Sequence, residues 1–371
     1  MNKVLVTTGI FPPDIGGPAT YVPKFASYLS NLGESVKVIT LSSEKQSNRR
    51  PYSFSVIRLE RRTYRPVRIL LTIKEISKNL SGSDTLFCNG LMIETAVAVL
   101  ITRFHGNSVV KVVGDPVWER MKNKESTQKF LSSSLKSLLW KALSIIERKV
   151  FVWSLGQFRH ITCPGYALAE TVKSWNENFN VQVITNGVDI AQRVRSGEKR
   201  FDLISISRLV PWKNLDQLIQ IAVDLGCSLA IVGDGPSMVE LKKLSKGSQK
   251  IVFLGKQDPR QVDKLLSESR VFCQISDYEG LSFSLLQAMA HALPCVVSDI
   301  PANRHVFETN PTAAIFFTKS TKKLVLEEMK RLLLSENRRT SLGLQAREII
   351  ENCFDEQKKL REMYELLSTN A

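Results

Sequence analysis

Short apolar runs alternating with amphipathic stretches, in two successive series, constrain the fold more than any other feature of the chain. In the first half such runs stand at 4–7, 35–41, 54–59, 85–89, 109–113, 161–163 and 181–184, with a helical pattern at 20–31. In the second half, runs at 203–207, 229–232, 251–254, 271–275 and 295–298 are separated by helical patterns at 214–226, 238–245, 259–267 and 283–292. Runs this short and this continuously apolar are strands buried on both faces, so the pattern predicts parallel sheets covered by helices. The expected fold class is α/β, with two doubly wound Rossmann-like domains. A length of 371 residues fits two cores better than one, and the polar stretch 191–200 marks the boundary between domains 1–190 and 191–352.

Composition excludes several classes. At 43% hydrophobic and 23% charged residues, with no low-complexity tract, the chain is globular and not disordered. No run of 18 apolar residues is present to span a membrane, and Phe11-Pro12-Pro13 ends the first apolar run too early for a signal peptide. Six cysteines are scattered singly, without CxxC or Cys/His pairs at ligand spacing, which predicts a reduced, cytoplasmic setting and no metal site.

Charge is uneven: residues 1–188 carry 25 Lys/Arg against 13 Asp/Glu, and the remainder 26 against 23. A basic half attracts polyanions or anionic headgroups. The segment 58–68, with Arg58, Arg61, Arg62, Arg65 and Arg68, and the amphipathic stretch 128–155 suggest contact with an anionic membrane surface. The apolar stripe of that stretch (Phe130, Leu135, Leu138, Leu139, Leu143, Ile146, Phe151) could equally pack into its own domain. The basic half lacks the aromatic-interleaved motifs of nucleic-acid readers, which argues against nucleic acid as a partner.

Candidate chemistry gathers at strand exits, where parallel sheets bind ligands. After the first strand, Pro12-Pro13-Asp14-Ile15-Gly16-Gly17 leads into a helix whose N-terminus favours an anion, although a glycine pair is also a common turn. Arg208 and Lys213 follow the strand at 203–207, placed to clamp a diphosphate, or merely solvated. Gly233-Asp234-Gly235 forms a tight turn. Glu279-Gly280-Leu281-Ser282 runs into a helix that carries Gln287, and Glu279 can either cap that helix or accept from sugar hydroxyls.

In order and spacing these segments resemble the retaining glycosyltransferases of family 4 (glycosyl transferases group 1), which have the two-domain GT-B architecture. The motifs are Pro12 to Gly17, Asn186-Gly187-Val188-Asp189, Arg208 with Lys213, Val232 to Pro236, Phe253-Leu254-Gly255 and the Glu279-x7-Gln287 helix. The resemblance implies two Rossmann-like domains facing a central cleft, with a C-terminal helix, about 353–371, rejoining the first. It implies that Arg208 and Lys213 hold the donor diphosphate and that Glu279 binds the donor sugar. Gly16, Gly17, Gly233, Asp234, Gly280, Leu281 and Ser282 would shape the donor site, and Gly255, Lys256 and Gln257 would lie near the base.

Two positions depart from the family pattern. Gln287 stands where the family has a second, ribose-binding glutamate, and it gives up a charge-assisted bond worth ~1 kcal/mol more than a neutral one. Many members set a histidine against the donor sugar; here Asp115 is the candidate for that position. The resemblance further implies a UDP- or GDP-type sugar as substrate, no cofactor, and retaining, metal-independent transfer of a hexose-type sugar. An oxocarbenium-like state would form as the diphosphate leaves. The acceptor would be a glycan or a polyprenyl- or lipid-linked molecule in polysaccharide, lipopolysaccharide or glycolipid synthesis. Gln287 also motivates an alternative, a non-catalytic glycosyltransferase-like subunit that binds a nucleotide sugar or a partner enzyme.

Overall fold

The computed structural model describes residues 2–14, 16–43, 52–127, 134–190, 198–245 and 248–369. The chain divides into two compact units: Met1–Trp118 with Leu131–Thr185 and Lys359–Ala371, and Glu119–Phe130 with Asn186–Lys358. The division after Thr185 falls a few residues before the expected boundary, most of which (191–197) lies outside the described residues.

The first unit is built on β1 (Lys3–Thr8), β2 (Ser35–Ser42), β3 (Ser55–Glu60), β4 (Thr85–Asn89), β5 (Asn107–Lys111), β6 (His160–Cys163) and β7 (Val181–Val183). Their spatial order is β3-β2-β1-β4-β5-β6-β7, every pair parallel. Leu5, Ile39, Leu86, Val110 and Ile161 from the strands meet Ile76, Leu80, Ala96, Val99, Phe151, Leu155 and Val172 from the covering helices. Each large apolar side chain buried in this way contributes ~1.5–3 kcal/mol before entropy is counted.

The second unit carries β8 (Phe201–Ile206), β9 (Leu229–Val232), β10 (Ile251–Gly255), β11 (Ser269–Gln274), β12 (Cys295–Ser298) and β13 (Ala314–Phe317), in the order β10-β9-β8-β11-β12-β13, again all parallel. Alternate residues serve opposite faces, as a pleated strand requires. Ile204, Ala230, Phe272 and Val297 pack against Leu285, Leu286, Met289 and Ile349. Leu203, Leu229, Ile231, Val271 and Val296 pack against Leu218, Ile219, Met329 and Leu332. Both sheets are therefore doubly wound, as the alternating pattern predicts.

Helices beyond those expected from the sequence are Arg65–Leu80, Met92–Thr102, Pro116–Thr127, Tyr166–Trp175, Lys322–Leu334 and Glu336–Cys353. Among them Met92–Thr102 is hard to read from sequence for a physical reason. It is apolar on its outer as well as its inner face, with Leu100 and Ile101 exposed, so no helical period stands out. The stretch 128–155 contains the helix Ser134–Leu155. Phe130, and the side chains of Leu135, Leu138 and Leu139, lie outside the described residues. The remaining stripe splits: Phe151 is buried, while Leu143 and Ile146 face solvent.

The final helix, Glu356–Ser368, groups with the first unit from Lys359 onward. Leu360, Met363 and Leu367 are buried along one face, and Asn107 Nδ2 donates to the carbonyls of Leu366 and Leu367 at 2.9 Å each. Tyr364 Oη donates to Glu34 Oε1 at 3.1 Å. All six cysteines are unpaired, and among the described residues no helix is long and apolar enough to cross a membrane.

Candidate functional site

A doubly wound sheet opens a crevice where neighbouring strands send their crossovers in opposite directions. In the second unit that point is the carboxyl end of β8 beside β11, and in the first it is β1 beside β4.

At the β8 exit the chain passes through Ser207 and Arg208 into a 3₁₀ turn, Pro211–Lys213. Asn214 ends the turn at φ 50, a left-handed conformation that asparagine tolerates. Its Nδ2 donates to Ile275 O (2.9 Å) and Asp277 Oδ1 (2.7 Å), and Asp277 N donates to Trp212 O (2.8 Å). The loops after β8 and β11 are thereby tied together. Across this tie Lys213 Nζ meets Glu279 Oε1 at 2.6 Å, with side chains only 13% and 9% exposed. In poorly hydrated surroundings each of these charges depends on the other. Arg208 is 60% exposed; it pairs with Glu119, which groups with the same unit, at 2.6 Å, and lies over the Trp212 ring.

The turn 232–236 packs backbone to backbone onto this loop. Gly233 N donates to Gly255 O and Leu209 N to Asp234 O, at 2.8 and 3.0 Å. Gly233 has φ 131, and a Cβ there would lie 1.8 Å from Ser207 O, so only glycine fits. Lys256 stands 3.9 Å from Asp234, both well exposed, and Gln257 Nε2 donates to Leu254 O.

Gly280 is buried and Ser282 caps the helix Phe283–Ala290, its Oγ accepting from Leu285 N at 3.2 Å. The same hydroxyl donates to Gln274 Oε1. Gln274 reaches Asn303, whose Nδ2 donates to Ser298, and Ser298 Oγ donates to Ser276 O at 2.6 Å. This buried polar chain crosses the ends of β11 and β12 and fixes the loop that presents Glu279. Gln287, half-buried one turn into the helix, has no side-chain partner among the described residues. Leu281 packs against the core with Phe283.

In the first unit, the loop after β1 contains a cis Pro12-Pro13 bond and Gly16 at φ 151. Gly17 opens the helix Gly17–Asn31, which has no side-chain cap. Arg61 holds this loop through Gly9 O (3.0 Å), Asp14 Oδ2 (2.5 Å) and Leu41 O (3.0 Å). Arg58 donates to Pro12 O at 2.8 Å and lies over the Phe11 ring, while Arg68 donates to Arg61 O. Two of the five arginines expected on a membrane-facing surface, Arg58 and Arg61, are thus turned inward onto the glycine loop, and a third, Arg68, onto the carbonyl of Arg61.

Asp115 is buried and fully engaged. One oxygen accepts from Val117 N and Trp118 N, and the other receives Arg148 at 2.6 Å. The structure thus gives it a capping role inside its own unit, beside a guanidinium stacked on Trp175.

Several residues escaped the sequence reading. The buried hydroxyls of Ser207 and Ser276 have no partner among the described residues, and both sit at the β8/β11 crevice. Asn89, at the end of β4, is likewise buried with both side-chain polar atoms unpaired. Buried groups without partners at a ligand crevice are the mark of a polar ligand or water. Their position directly after a strand is the one signal that could have found them. Lys111 is fully buried at the end of β5, its Nζ 4.0 Å over the Tyr21 ring, and desolvation lowers its pKa to about 7.

Two doubly wound sheets, the second with cations and a carboxylate gathered at its crevice, define the class of fold, GT-B. Residues 189–349 match the family described as glycosyl transferases group 1. The N-acetyl-alpha-D-glucosaminyl L-malate synthase of Bacillus anthracis is 26% identical over 207 residues, 51% of this chain and 54% of that protein. An uncharacterized glycosyltransferase of Methanocaldococcus jannaschii is 24% identical across 97% of this chain and 96% of its own length. A GDP-mannose-dependent alpha-(1-6)-phosphatidylinositol monomannoside mannosyltransferase of Mycobacterium tuberculosis is 26% identical over 43% of this chain and 45% of that one. The chain thus matches about half the length of the first and third of these relatives. Among solved structures, HepE of Anabaena, in complex with UDP and glucose, superposes with a TM-score of 0.77 at 16% identity, covering 100% of both chains.

Proposed function

We propose that the chain is a retaining transferase of the family 4 type that moves a hexose-type sugar from a UDP- or GDP-sugar to a glycan or lipid-linked acceptor. The observation that carries this reading is the Lys213–Glu279 pair, held at the β8/β11 crevice beside the unpaired hydroxyls of Ser207 and Ser276. Glu279 accepts from donor sugar hydroxyls. Lys213 meets the diphosphate as a compact charge, and Arg208 exchanges Glu119 for phosphate oxygens, which its exposure allows. The first amides of Phe283–Ala290, ahead of the one that the Ser282 cap takes, add partial positive charge. Together these groups stabilise the leaving diphosphate as the sugar becomes oxocarbenium-like, without a resident metal or cofactor. A leaving-group oxygen takes the acceptor proton, so no separate base is required. Gln287 accepts from one ribose hydroxyl and donates to another.

The relatives support the reading through what their names state: an N-acetyl-alpha-D-glucosaminyl L-malate synthase and a GDP-mannose-dependent phosphatidylinositol monomannoside mannosyltransferase. Six unpaired cysteines fit a cytoplasmic setting. The test is a nucleoside-diphosphate release screen with UDP-, GDP- and ADP-sugars on the native chain, Glu279→Ala and Arg208→Ala. Release from one nucleotide class by the native chain, lost in both variants, is the expected result. A native chain that is stabilised by a nucleotide sugar yet releases nothing with any acceptor extract points to the non-catalytic subunit.

A further inference from the structure

We infer that Glu119 tunes the donor site by charge: it holds Arg208 when no diphosphate is bound, and it opposes the nucleoside diphosphate product more strongly than the nucleotide sugar. The inference rests on the reading of the β8/β11 crevice as a donor site. Two cation–carboxylate pairs stand at the exit of β8, and they differ in kind. Lys213 and Glu279 meet at 2.6 Å with side chains 13% and 9% exposed, so each charge needs the other. Arg208 and Glu119 also meet at 2.6 Å, but at 60% and 27% exposure. The hydrogen bond between them runs from Nη2 to Oε2, one nitrogen of a guanidinium that carries several further donors. An exposed contact of this kind contributes little to stability and exchanges readily.

Both partners are held in place. The buried Trp212 ring lies 5.8 Å from the Arg208 guanidinium, which keeps Arg208 beside Lys213. Glu119 stands in the first turn of the helix Pro116–Thr127, where the helix dipole favours a carboxylate. The two pairs sum to zero charge, so an incoming diphosphate gains Arg208 only by displacing Glu119. What that displacement costs depends on the charge of the ligand. A nucleotide sugar brings about two negative charges on its diphosphate. On transfer, the bond between the anomeric carbon and the terminal phosphate oxygen breaks and the electron pair stays on that oxygen. The proton given up there by the acceptor passes to water, because a terminal phosphate ionises a second time at about pH 6, and the product is left with about three negative charges. The added charge sits on the terminal phosphate, and the Glu119 carboxylate repels it through solvent that screens the interaction without abolishing it. Glu119 thus favours exit of the product and the return of Arg208 to its own carboxylate.

The experiment is isothermal titration calorimetry of the full chain at about pH 7.5 with UDP, UDP-glucose, GDP and GDP-mannose. Three proteins are compared: native, Glu119→Gln, which removes the charge and keeps the shape, and Glu327→Gln, the same charge change at an exposed residue of the helix Lys322–Leu334. In the nucleotide class that binds, Glu119→Gln is expected to hold the nucleotide sugar about threefold tighter than the native chain and the nucleoside diphosphate about tenfold tighter, while Glu327→Gln changes neither. The gap between the two ligands should shrink as salt is raised about tenfold, as an exposed charge effect must. Equal tightening of both ligands, no tightening, or weaker binding of the nucleotide sugar overturns the proposal, the last because it makes Glu119 a donor contact. Each of these results still shows a bound nucleotide and leaves the donor-site reading intact. A native chain that binds none of the four ligands ends that reading and the proposal with it.

Discussion

Glu279 remains a charged side chain at 9% exposure because Lys213 reaches it at 2.6 Å. Removing one partner leaves the other charge poorly hydrated, whereas removing both removes the problem. Lys213→Met should therefore lower unfolding stability by about 3 kcal/mol in urea titrations, and Lys213→Met/Glu279→Gln should regain most of it. Neither variant should be stabilised by a donor; if the double variant were, the pair would be structural only.

Lys111 makes a prediction of the opposite sign. Burial lowers its pKa from 10.5 to about 7, with Cys163 and Glu362 the neighbours that oppose the shift. Between pH 7 and 10.5 the unfolded chain holds a proton that the folded chain does not, so this site makes stability rise with pH across that window. Below pH 7 both states are protonated and the full cost remains. Lys111→Met should flatten the rise and stabilise the protein most at pH 6, seen in melting temperatures at pH 6 and 9. No local pattern betrays this lysine: within the run Val109–Val113 it is one polar residue among valines, and only the fold shows that every side of it is covered.

At the scale of elements, the crevice of the second unit is a contact between two turns. The turn after β9 lies so close to the strand exit after β8 that Gly233 has no room for a Cβ. Gly233→Ala should cost more than about 2 kcal/mol, from the clash with Ser207 O and from the φ of 131 together, measured as a lower urea midpoint with an unchanged slope. That glycine was legible as a turn, because Gly-Asp-Gly-Pro carries turn chemistry in itself. What the turn presses on was not legible. The same division runs through the first unit. The glycine loop can be read from its own residues, but Arg61, which bonds Gly9 O and Asp14 from 52 and 47 positions away, reads in sequence as part of a basic surface. An arginine has the same appearance in sequence whether it faces headgroups or clamps carbonyls; the long-range partner decides. Asp115 is a comparable case, since its partner Arg148 comes from a helix 33 positions on.

For the molecule as a whole, two parallel sheets follow from two series of apolar runs, because strands buried on both faces leave an unmistakable pattern. Their strand order follows from crossover chirality and short connections. The return of the chain is less visible. Val188 N donates to Phe354 O at 2.9 Å, and Gly187 faces Glu356 so closely that a Cβ would lie 2.5 Å from its Cα. The segments entering and leaving the second unit are thus bound to each other just before the last helix. Nothing in residues 354–368 alone announces that pairing; the family resemblance implied the helix that follows it, and the pairing itself is carried in the structure by a glycine that admits no side chain.

The central claim is that the second unit holds a nucleotide sugar at the ends of β8 and β11. Hydrogen exchange read by mass spectrometry, with and without UDP-glucose or GDP-mannose, tests it most directly across the whole chain. One donor should protect the amides of 207–213, 233–236 and 276–285, with the protection lost in Glu279→Ala. Protection by either donor centred elsewhere, or none in these three segments with both, would contradict the assignment.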